Sequence, residues 1–68
     1  MSRFLYIVES IDGDYAHLRK IAEDLDSSGT FAKVSGEQEC KLVARALLPA
    51  EISEGVQLLY EWMQYTIV

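Results

Sequence analysis

The sequence has one cysteine, one histidine and one proline among its 68 residues. Because Cys40 has no second cysteine to pair with, the chain can neither form an internal disulfide nor close a cysteine-based zinc site by itself. The fold must therefore depend on packing alone. No apolar stretch approaches the length that a membrane span needs, so we expect no membrane partner.

Export signals are also missing. The apolar run of residues 4–8 is short, leads directly to Glu9 and Asp12, and lacks the small-residue cleavage pattern of a signal peptide. A cytoplasmic location is therefore our expectation.

Basic side chains are few. Eleven acidic residues stand against six basic ones, which gives a formal net charge of −5. Nucleic-acid binding relies on basic groups that displace the counterions of the phosphates, and an acidic chain opposes that attraction. Arg19 and Lys20 are adjacent, but such a pair is a weak footprint for DNA or RNA. We expect no nucleic-acid partner.

Half of the residues are hydrophobic and a quarter are charged, as in an ordinary globular protein. We expect a single domain over residues 1–68. A domain of this size buries only about 60% of the surface that its unfolded chain exposes, so little apolar surface is left to line a deep pocket.

Several segments have the composition of strands. Residues 4–8 are β-branched and aromatic, and the Asp12-Gly13 pair that follows is typical of a tight hairpin turn before Tyr15. A short strand is predicted within residues 30–34, which end at Ser35-Gly36. The chain ends with two more strand-like runs, residues 56–62 and 65–68, with a reversal at residues 62–64.

One segment fits two structures equally well. Residues 15–21 are predicted as the second strand of the hairpin. The competing interpretation is a helix over about 14–27, with Asp14 as its N-cap and with Leu18, Ile21 and Ala22 on one face. The pattern of residues alone leaves both open.

The segment around the proline is predicted to leave the sheet. Residues 40–48 are interpreted as a strand that ends at Pro49, with Cys40, Leu42 and Ala44 on one face. Residues 50–55 are then predicted to form a single helical or 3₁₀ turn that places Ile52 in the core.

Three blocks of this sequence resemble a small bacterial family, the domain of unknown function 3006 family. They are Gly13-Asp14-Tyr15-Ala16, Arg45-Ala46-Leu47-Leu48-Pro49 and Glu54-Gly55, in that order. The match covers the two ends of the chain and leaves out residues 21–39. The resemblance implies strand at residues 15–21 and an all-β fold, a small five- or six-stranded SH3/OB-like barrel with one short helical turn. The α+β fold with a helix at about 14–27 is the alternative. Some family members accompany secreted metallo-β-lactamase-like hydrolases, which implies an accessory or interaction role.

Candidate catalytic and metal-binding groups are sparse. Asp24-Leu-Asp26-Ser-Ser28-Gly29 matches the first half of a calcium-binding EF-hand loop, but Ser35 stands where the bidentate glutamate belongs. His17 and Cys40 are the one pair that offers a base and a nucleophile, and no motif surrounds them. We interpret His17 as a surface strand residue and Cys40 as a small apolar side chain. We therefore expect no enzyme activity, no metal and no cofactor.

Carboxylates also cluster near the first turn, at Glu9, Asp12 and Asp14. Aspartate side chains accept hydrogen bonds from nearby backbone N–H groups, which explains their place in a turn without a metal.

The aromatic content of the C-terminal half favours an interaction surface. We single out Tyr60, Trp62 and Tyr65 as candidate partner-binding residues, because exposed aromatic patches mark interfaces and small barrels bind extended peptides through them. The predicted function is a non-catalytic domain for protein–protein interaction or self-association. The alternative is an acidic regulator or mimic that acts on a nucleic-acid-binding protein.

Overall fold

The structure, a computed structural model, describes residues 2–25, 29–34 and 40–68. Within these ranges the chain forms one antiparallel sheet, which confirms the all-β prediction. Its strands are β1 Arg3–Asp12, β2 Tyr15–Asp24, β3 Ala32–Lys33, β4 Lys41–Ala44, β5 Gln57–Glu61 and β6 Gln64–Ile67.

The sheet is open, so the predicted barrel is wrong in that it does not close. The spatial order is β3-β2-β1-β5-β6, and β4 also pairs with β2. β3 pairs with β2 at Ala22 and Glu23, whereas β4 pairs with residues 15–18 of β2. At the other side, β6 pairs with β5 and with no second strand among the described residues. Closure would require a partner for β6.

The hairpin of β1 and β2 forms where the Asp-Gly signal predicts it. Asp12 pairs with Tyr15, which leaves Gly13 and Asp14 as a two-residue turn. Gly13 has a φ of +62° and Asp14 has no positive φ, the pattern of a type II′ turn. Glycine is needed at the first turn position because side chains rarely adopt a positive φ there.

The alternative helix at 14–27 is wrong over the residues that β2 occupies. Ile21 is the extra residue of a bulge, because Tyr6 pairs with Lys20 and Leu5 pairs with Ala22. A bulge shifts the alternation of side chains by one residue. The apolar spacing that looked helical therefore belongs to a strand whose inward-facing side changes at Ile21.

A second bulge lies in β1. Val8 pairs with Leu18 and Ser10 pairs with His17, so Glu9 has no partner in the ladder. Because of this extra residue, both Val8 and Ile11 lie on the side of the sheet that carries the core. Val8 is 1% exposed, and the half-buried Ile11 packs against the core cluster.

The core occupies one end of one face, which we call the closed end. The strands contribute Val8, Ala16, Leu18, Val43 and Leu58, and the segment between β4 and β5 contributes Leu48 and Ile52. Ala16, Leu18 and Leu58 have no exposed surface. The side of the sheet that carries these residues is called the core face below.

The short helical turn exists, but five residues earlier than predicted. A 3₁₀ turn spans Arg45–Leu47, whereas residues 50–55 form non-helical turns. The Arg45 N–H donates to the Asp14 carbonyl at 2.8 Å, which fixes the start of the turn against the first hairpin. Ile52 is buried, as predicted.

The predicted strand over residues 40–48 is shorter and faces the other way. β4 covers four residues, and its pairing of Val43 with Ala16 places Val43 on the core face. Leu42, which was predicted to share a face with Cys40 and Ala44, is 57% exposed. In so short a strand, register against the neighbouring strand decides which side is buried.

Candidate functional site

Aromatic rings from β1, β5 and β6 lie together on the core face, beyond the closed end. Tyr60 is opposite Phe4 on β1 and opposite Tyr65 on β6. The ring centroids of Tyr60 and Tyr65 are 4.6 Å apart, those of Tyr6 and Tyr65 are 5.9 Å apart, and those of Phe4 and Tyr60 are 6.4 Å apart. These tilted pairs have the geometry that aromatic quadrupoles favour. The four residues Phe4, Tyr6, Tyr60 and Tyr65 are called the aromatic patch.

The aromatic patch is only partly covered. All four residues are half-buried, in contrast to the fully buried Leu18 and Leu58 of the same face. Tyr6 and Tyr65 pack against the core cluster. The patch is therefore continuous with the core at one side and meets solvent at the other.

Two lysines lie over these rings. The Lys41 ammonium is 5.9 Å from the centroid of Tyr6 and 5.7 Å from that of Tyr60. The Lys20 ammonium lies 5.1 Å from the Phe4 centroid and is also 3.3 Å from the Glu23 carboxylate. Lys41 has no carboxylate partner among the described residues. It is a cation held by ring faces in an acidic protein.

The ionisation of the tyrosines reflects their position. Burial raises the pKa of Tyr6, while the Lys41 charge lowers it and the neighbouring Tyr65 and Tyr60 raise it. Burial also raises the pKa of Tyr65, with a further upward effect from Tyr60. Because both pKa values lie above the ordinary one, the phenols are neutral around pH 7. Their O–H groups are thus available as hydrogen-bond donors.

The turn that joins β5 to β6 exposes two large apolar side chains. Trp62 and Met63 are 66% and 87% exposed. Their φ angles are +54° and +60°, so both turn residues adopt the left-handed conformation of a type I′ turn. Such turns favour Asn-Gly, and bulky residues with positive φ are outliers that carry strain. The predicted reversal at residues 62–64 is thereby confirmed for Trp62 and Met63, and Gln64 begins β6.

The structure brings together two of the three predicted partner-binding residues. Tyr60 and Tyr65 contact each other, whereas Trp62 lies at the adjacent turn without a ring contact to the described residues. Reasoning from the sequence missed Phe4, Tyr6 and the two lysines as members of the site. The alternation of side chains along β1 could have predicted the first two, since Phe4 and Tyr6 are an even number of residues from the buried Val8 and so lie on the same face of the strand.

Two described residues of the predicted half calcium loop, Asp24 and Gly29, make other contacts. Asp24 is 2% exposed, accepts a 2.7 Å bond from the Arg3 guanidinium and accepts the Gly29 N–H at 3.0 Å. The Arg3 guanidinium also lies 5.0 Å from the Phe31 centroid. Asp26 and Ser28, which the half motif needs, lie outside the described residues, as do Ser35 and Gly36. The carboxylate of Asp24 thus acts as a structural partner of Arg3.

The remaining candidate groups are dispersed. His17 is half-buried on the face opposite Ala16 and Leu18, as predicted, whereas Cys40 is exposed, so its interpretation as a packed apolar side chain is wrong. Glu9 pairs with Arg19 at 2.9 Å. Asp12 and Asp14 are exposed at the first turn. In the described ranges, no group of three or more His, Cys, Asp or Glu side chains is placed to hold a metal ion.

Across the part of the chain that the structure describes, no helix is long and apolar enough to cross a membrane. Comparisons of the sequence and the structure with protein-family models, curated proteins and solved structures found no match. The resemblance to the domain of unknown function 3006 family stays a prediction.

Proposed function

We propose that this chain is a non-catalytic interaction domain that binds protein through the aromatic patch and the Trp62-Met63 turn. The observation that carries the proposal is the incomplete covering of the core face. Leu48 and Ile52 cover its closed end, while four aromatic rings at the other end remain half-exposed. Apolar surface gains free energy when it is removed from water, so a partner segment that covers these rings is stabilising.

The chemistry of the patch describes its partner. Aromatic rings offer large contact area with little loss of side-chain entropy, and two phenol groups add hydrogen-bond donors. Lys41 adds a positive charge directly above the Tyr6 and Tyr60 rings. A segment that places apolar side chains on the rings and a carboxylate near Lys41 is therefore the best complement.

The Trp62-Met63 turn supports the same conclusion. A type I′ turn built from these residues costs free energy that Asn-Gly would avoid, about 1–2 kcal/mol for each residue in the left-handed conformation. Strained backbone is concentrated at functional sites. The turn presents two large apolar side chains to solvent next to the patch, which suits contact with a partner.

The proposal is tested by selecting random peptides against the intact chain and measuring their affinity for variants. We expect selected peptides to weaken by about tenfold or more on Trp62→Ala or Tyr60→Ala, since aromatic anchors dominate binding energy. Leu47→Ala is the matched control for Trp62→Ala, because Leu47 at 69% is about as exposed as Trp62 but lies in the 3₁₀ turn. Peptides that bind both aromatic variants as tightly as the unmodified chain would overturn the proposal.

A second candidate function rests on the opposite end of the sheet. Exposed carboxylates occur there at Asp12 and Asp14 of the first turn and at Glu51 and Glu54 of the segment before β5. Gly55 donates to the Val8 carbonyl at 2.9 Å, which ties this segment to β1. This distribution favours the acidic regulator or mimic that binds a nucleic-acid-binding protein. Its binding should weaken steeply as salt is raised, and binding that survives high salt would exclude the electrostatic form.

The proposed location is the bacterial cytoplasm. The origin rests on the family resemblance, and the compartment is supported by the exposed thiol of Cys40, which a reducing environment keeps unpaired. Fractionation of the host with an antibody to the chain tests the compartment.

A further inference from the structure

We propose that the free edge of β6 binds a second copy of the chain. The β6 strands of the two copies pair in antiparallel orientation and make one continuous sheet. The inference goes beyond the proposed function, since it concerns the edge of the sheet next to the aromatic patch and not the patch itself. Three features of β6 support it: its free backbone groups, its lack of edge protection and the apolar side chains around it.

On the side of β6 away from β5, the backbone presents hydrogen-bonding groups that pair with no other strand among the described residues. In a hairpin with a two-residue turn, Glu61 and Gln64 form the first hydrogen-bonded pair, and such pairs alternate along the ladder. The Val68 N–H donates to the Gln57 carbonyl at 3.1 Å, which agrees with this alternation. The N–H and C=O groups of Tyr65 and Ile67 therefore point away from β5, toward the free edge.

The other edges of the sheet are protected against pairing, and β6 is not. β3 has only two residues, one of which is Lys33, and β4, which has four residues as β6 does, begins with Lys41. Shortness and lysine are the common means by which sheet edges avoid association. The last segment, Gln64-Tyr-Thr-Ile-Val68, has no charged side chain and no proline. This composition leaves the β6 edge open to pairing with another strand.

The apolar side chains of the surface converge on the same place. Eight large hydrophobic residues of the described ranges are exposed, and four of them, Trp62, Met63, Ile67 and Val68, lie in the last seven residues. A second copy fits this edge because its own β6 offers the same row of unpaired backbone groups and brings no charged side chain of residues 64–68 opposite another, so the like charges of the two molecules lie elsewhere.

A two-fold axis through Thr66 satisfies the backbone groups on both copies. Tyr65 then pairs with Ile67 of the second copy and Ile67 with Tyr65 of the second copy, which forms four hydrogen bonds. Thr66 faces its own equivalent, and the Trp62-Met63 turn lies beside Val68 of the second copy. An interface of this length is smaller than the standard size, so we expect a dissociation constant of ~100 μM.

Sedimentation equilibrium of the full chain over a concentration series, with amide chemical shifts recorded in parallel, tests the dimer. We expect reversible dimerisation with the largest shifts at Tyr65 and Ile67. Thr66→Lys places two like charges opposite each other, so the dissociation constant should rise by about tenfold or more. The matched control is Ala32→Lys, which adds the same charge to an exposed residue of β3 at the opposite edge and should leave dimerisation unchanged.

A second variant addresses the backbone directly. Ile67→Pro removes an N–H that points to the free edge and is not used in pairing with β5, so the monomer keeps its ladder while dimerisation is lost. Raised salt should tighten the unmodified dimer by about threefold, because it screens the repulsion between the two acidic copies.

The outcomes separate this inference from the proposed function. A chain that stays monomeric at ~1 mM, or a dimer that both β6 variants leave intact, overturns the β6 pairing. If peptides still require Trp62 and Tyr60 in that case, the aromatic patch binds another protein and the proposed function stands. If the dimer forms at β6 but no selected peptide depends on the patch, the pairing stands and the patch loses its role.

Discussion

The two ends of the core face share strands β1 and β5 but differ in how well they are buried. At the closed end, Leu48 and Ile52 from the segment between β4 and β5 complete a cluster whose strand residues have almost no exposed surface. At the aromatic patch, β1 and β5, joined by β6, carry larger side chains that stay half-exposed. The sheet alone therefore buries neither end. A covering segment decides which end becomes core and which remains a surface for binding.

Removing the cover should have the largest effect. Ile52→Ala deletes buried methyl groups and leaves a cavity, which costs about 2–4 kcal/mol. Because a chain of this length has a total stability of roughly 3–10 kcal/mol, this variant loses much or all of its folded population. Tyr60→Ala in the aromatic patch should cost about 1 kcal/mol, since its ring is already partly hydrated. Urea unfolding of both variants measures the difference, and equal losses would contradict the distinction between the two ends.

The patch end of the sheet is held on its opposite face by a buried ion pair. Arg3 and Asp24 join the start of β1 to the end of β2, with Asp24 at 2% exposure. Asp24→Asn removes the charge but keeps an acceptor for the Gly29 N–H, so we expect a loss of about 2 kcal/mol, smaller than for a fully buried pair because Arg3 is partly exposed.

Thermal or urea unfolding followed by circular dichroism measures the effect of Asp24→Asn. Glu9→Gln is the control, since its pair with Arg19 is solvent-exposed and should contribute less than about 1 kcal/mol. An equal effect of the two substitutions would mean that burial of Asp24 adds nothing to its ion pair.

The turn between β5 and β6 allows stability and binding to be separated. Replacing Trp62 with Asn and Met63 with Gly together supplies the residues that a type I′ turn favours. The net gain in stability should be about 1–2 kcal/mol, less than the full strain of two residues, because Asn keeps part of the steric cost and glycine loses more conformational freedom on folding. The same double variant removes both exposed apolar side chains and should bind selected peptides about tenfold or more weakly. A double variant that is less stable than the unmodified chain would show that Trp62 and Met63 contribute to packing instead.

Local signals in the sequence were sufficient for the two hairpins. Asp12-Gly13 marks the first turn, and the β-branched and aromatic residues of the last thirteen positions predict β5 and β6. Predictions from the alternation of side chains failed where pairing with another strand added a bulge or set the register. The bulge at Ile21 produced a helix-like spacing, and register against Ala16 buried Val43 instead of Leu42. Bulges and register depend on the neighbouring strand, so a pattern within one strand does not reveal them.

The candidate site was predictable in part for the same reason. Tyr60 and Tyr65 flank a recognisable turn, so their pairing follows from the hairpin. Phe4 and Tyr6 join them because β1 lies next to β5, a neighbour distant in sequence. Lys41 reaches the rings from β4, whose place in the sheet depends on β2. Chain topology, which no local motif of this sequence encodes, assembles the aromatic patch.

The smallest predicted effect concerns the ionisation of the patch and contains its own control. Lys41 lowers the pKa of Tyr6 against the stronger effect of burial, whereas the pKa of Tyr65 is raised by burial and by Tyr60. Lys41→Met should therefore raise the pKa of Tyr6 further and leave that of Tyr65 unchanged. Titration of each phenol by NMR measures both values in one experiment.

The stability of the fold should depend on pH through the same two phenols, Tyr6 and Tyr65. Because the folded-state pKa of each phenol lies above the unfolded value of about 10, neutral Tyr6 and Tyr65 contribute stability that is complete below pH ~10 and is lost as pH rises through the folded values. With the higher Tyr6 pKa of Lys41→Met, this loss begins at the same pH of about 10 but is larger and continues to a higher pH than in the unmodified chain. Parallel shifts of Tyr6 and Tyr65 in the variant would mean that Lys41 acts through the packing of the whole patch. A change in the pKa of Tyr6 alone would locate the Lys41 charge over the Tyr6 ring. That is the position near which a carboxylate of a bound partner is expected.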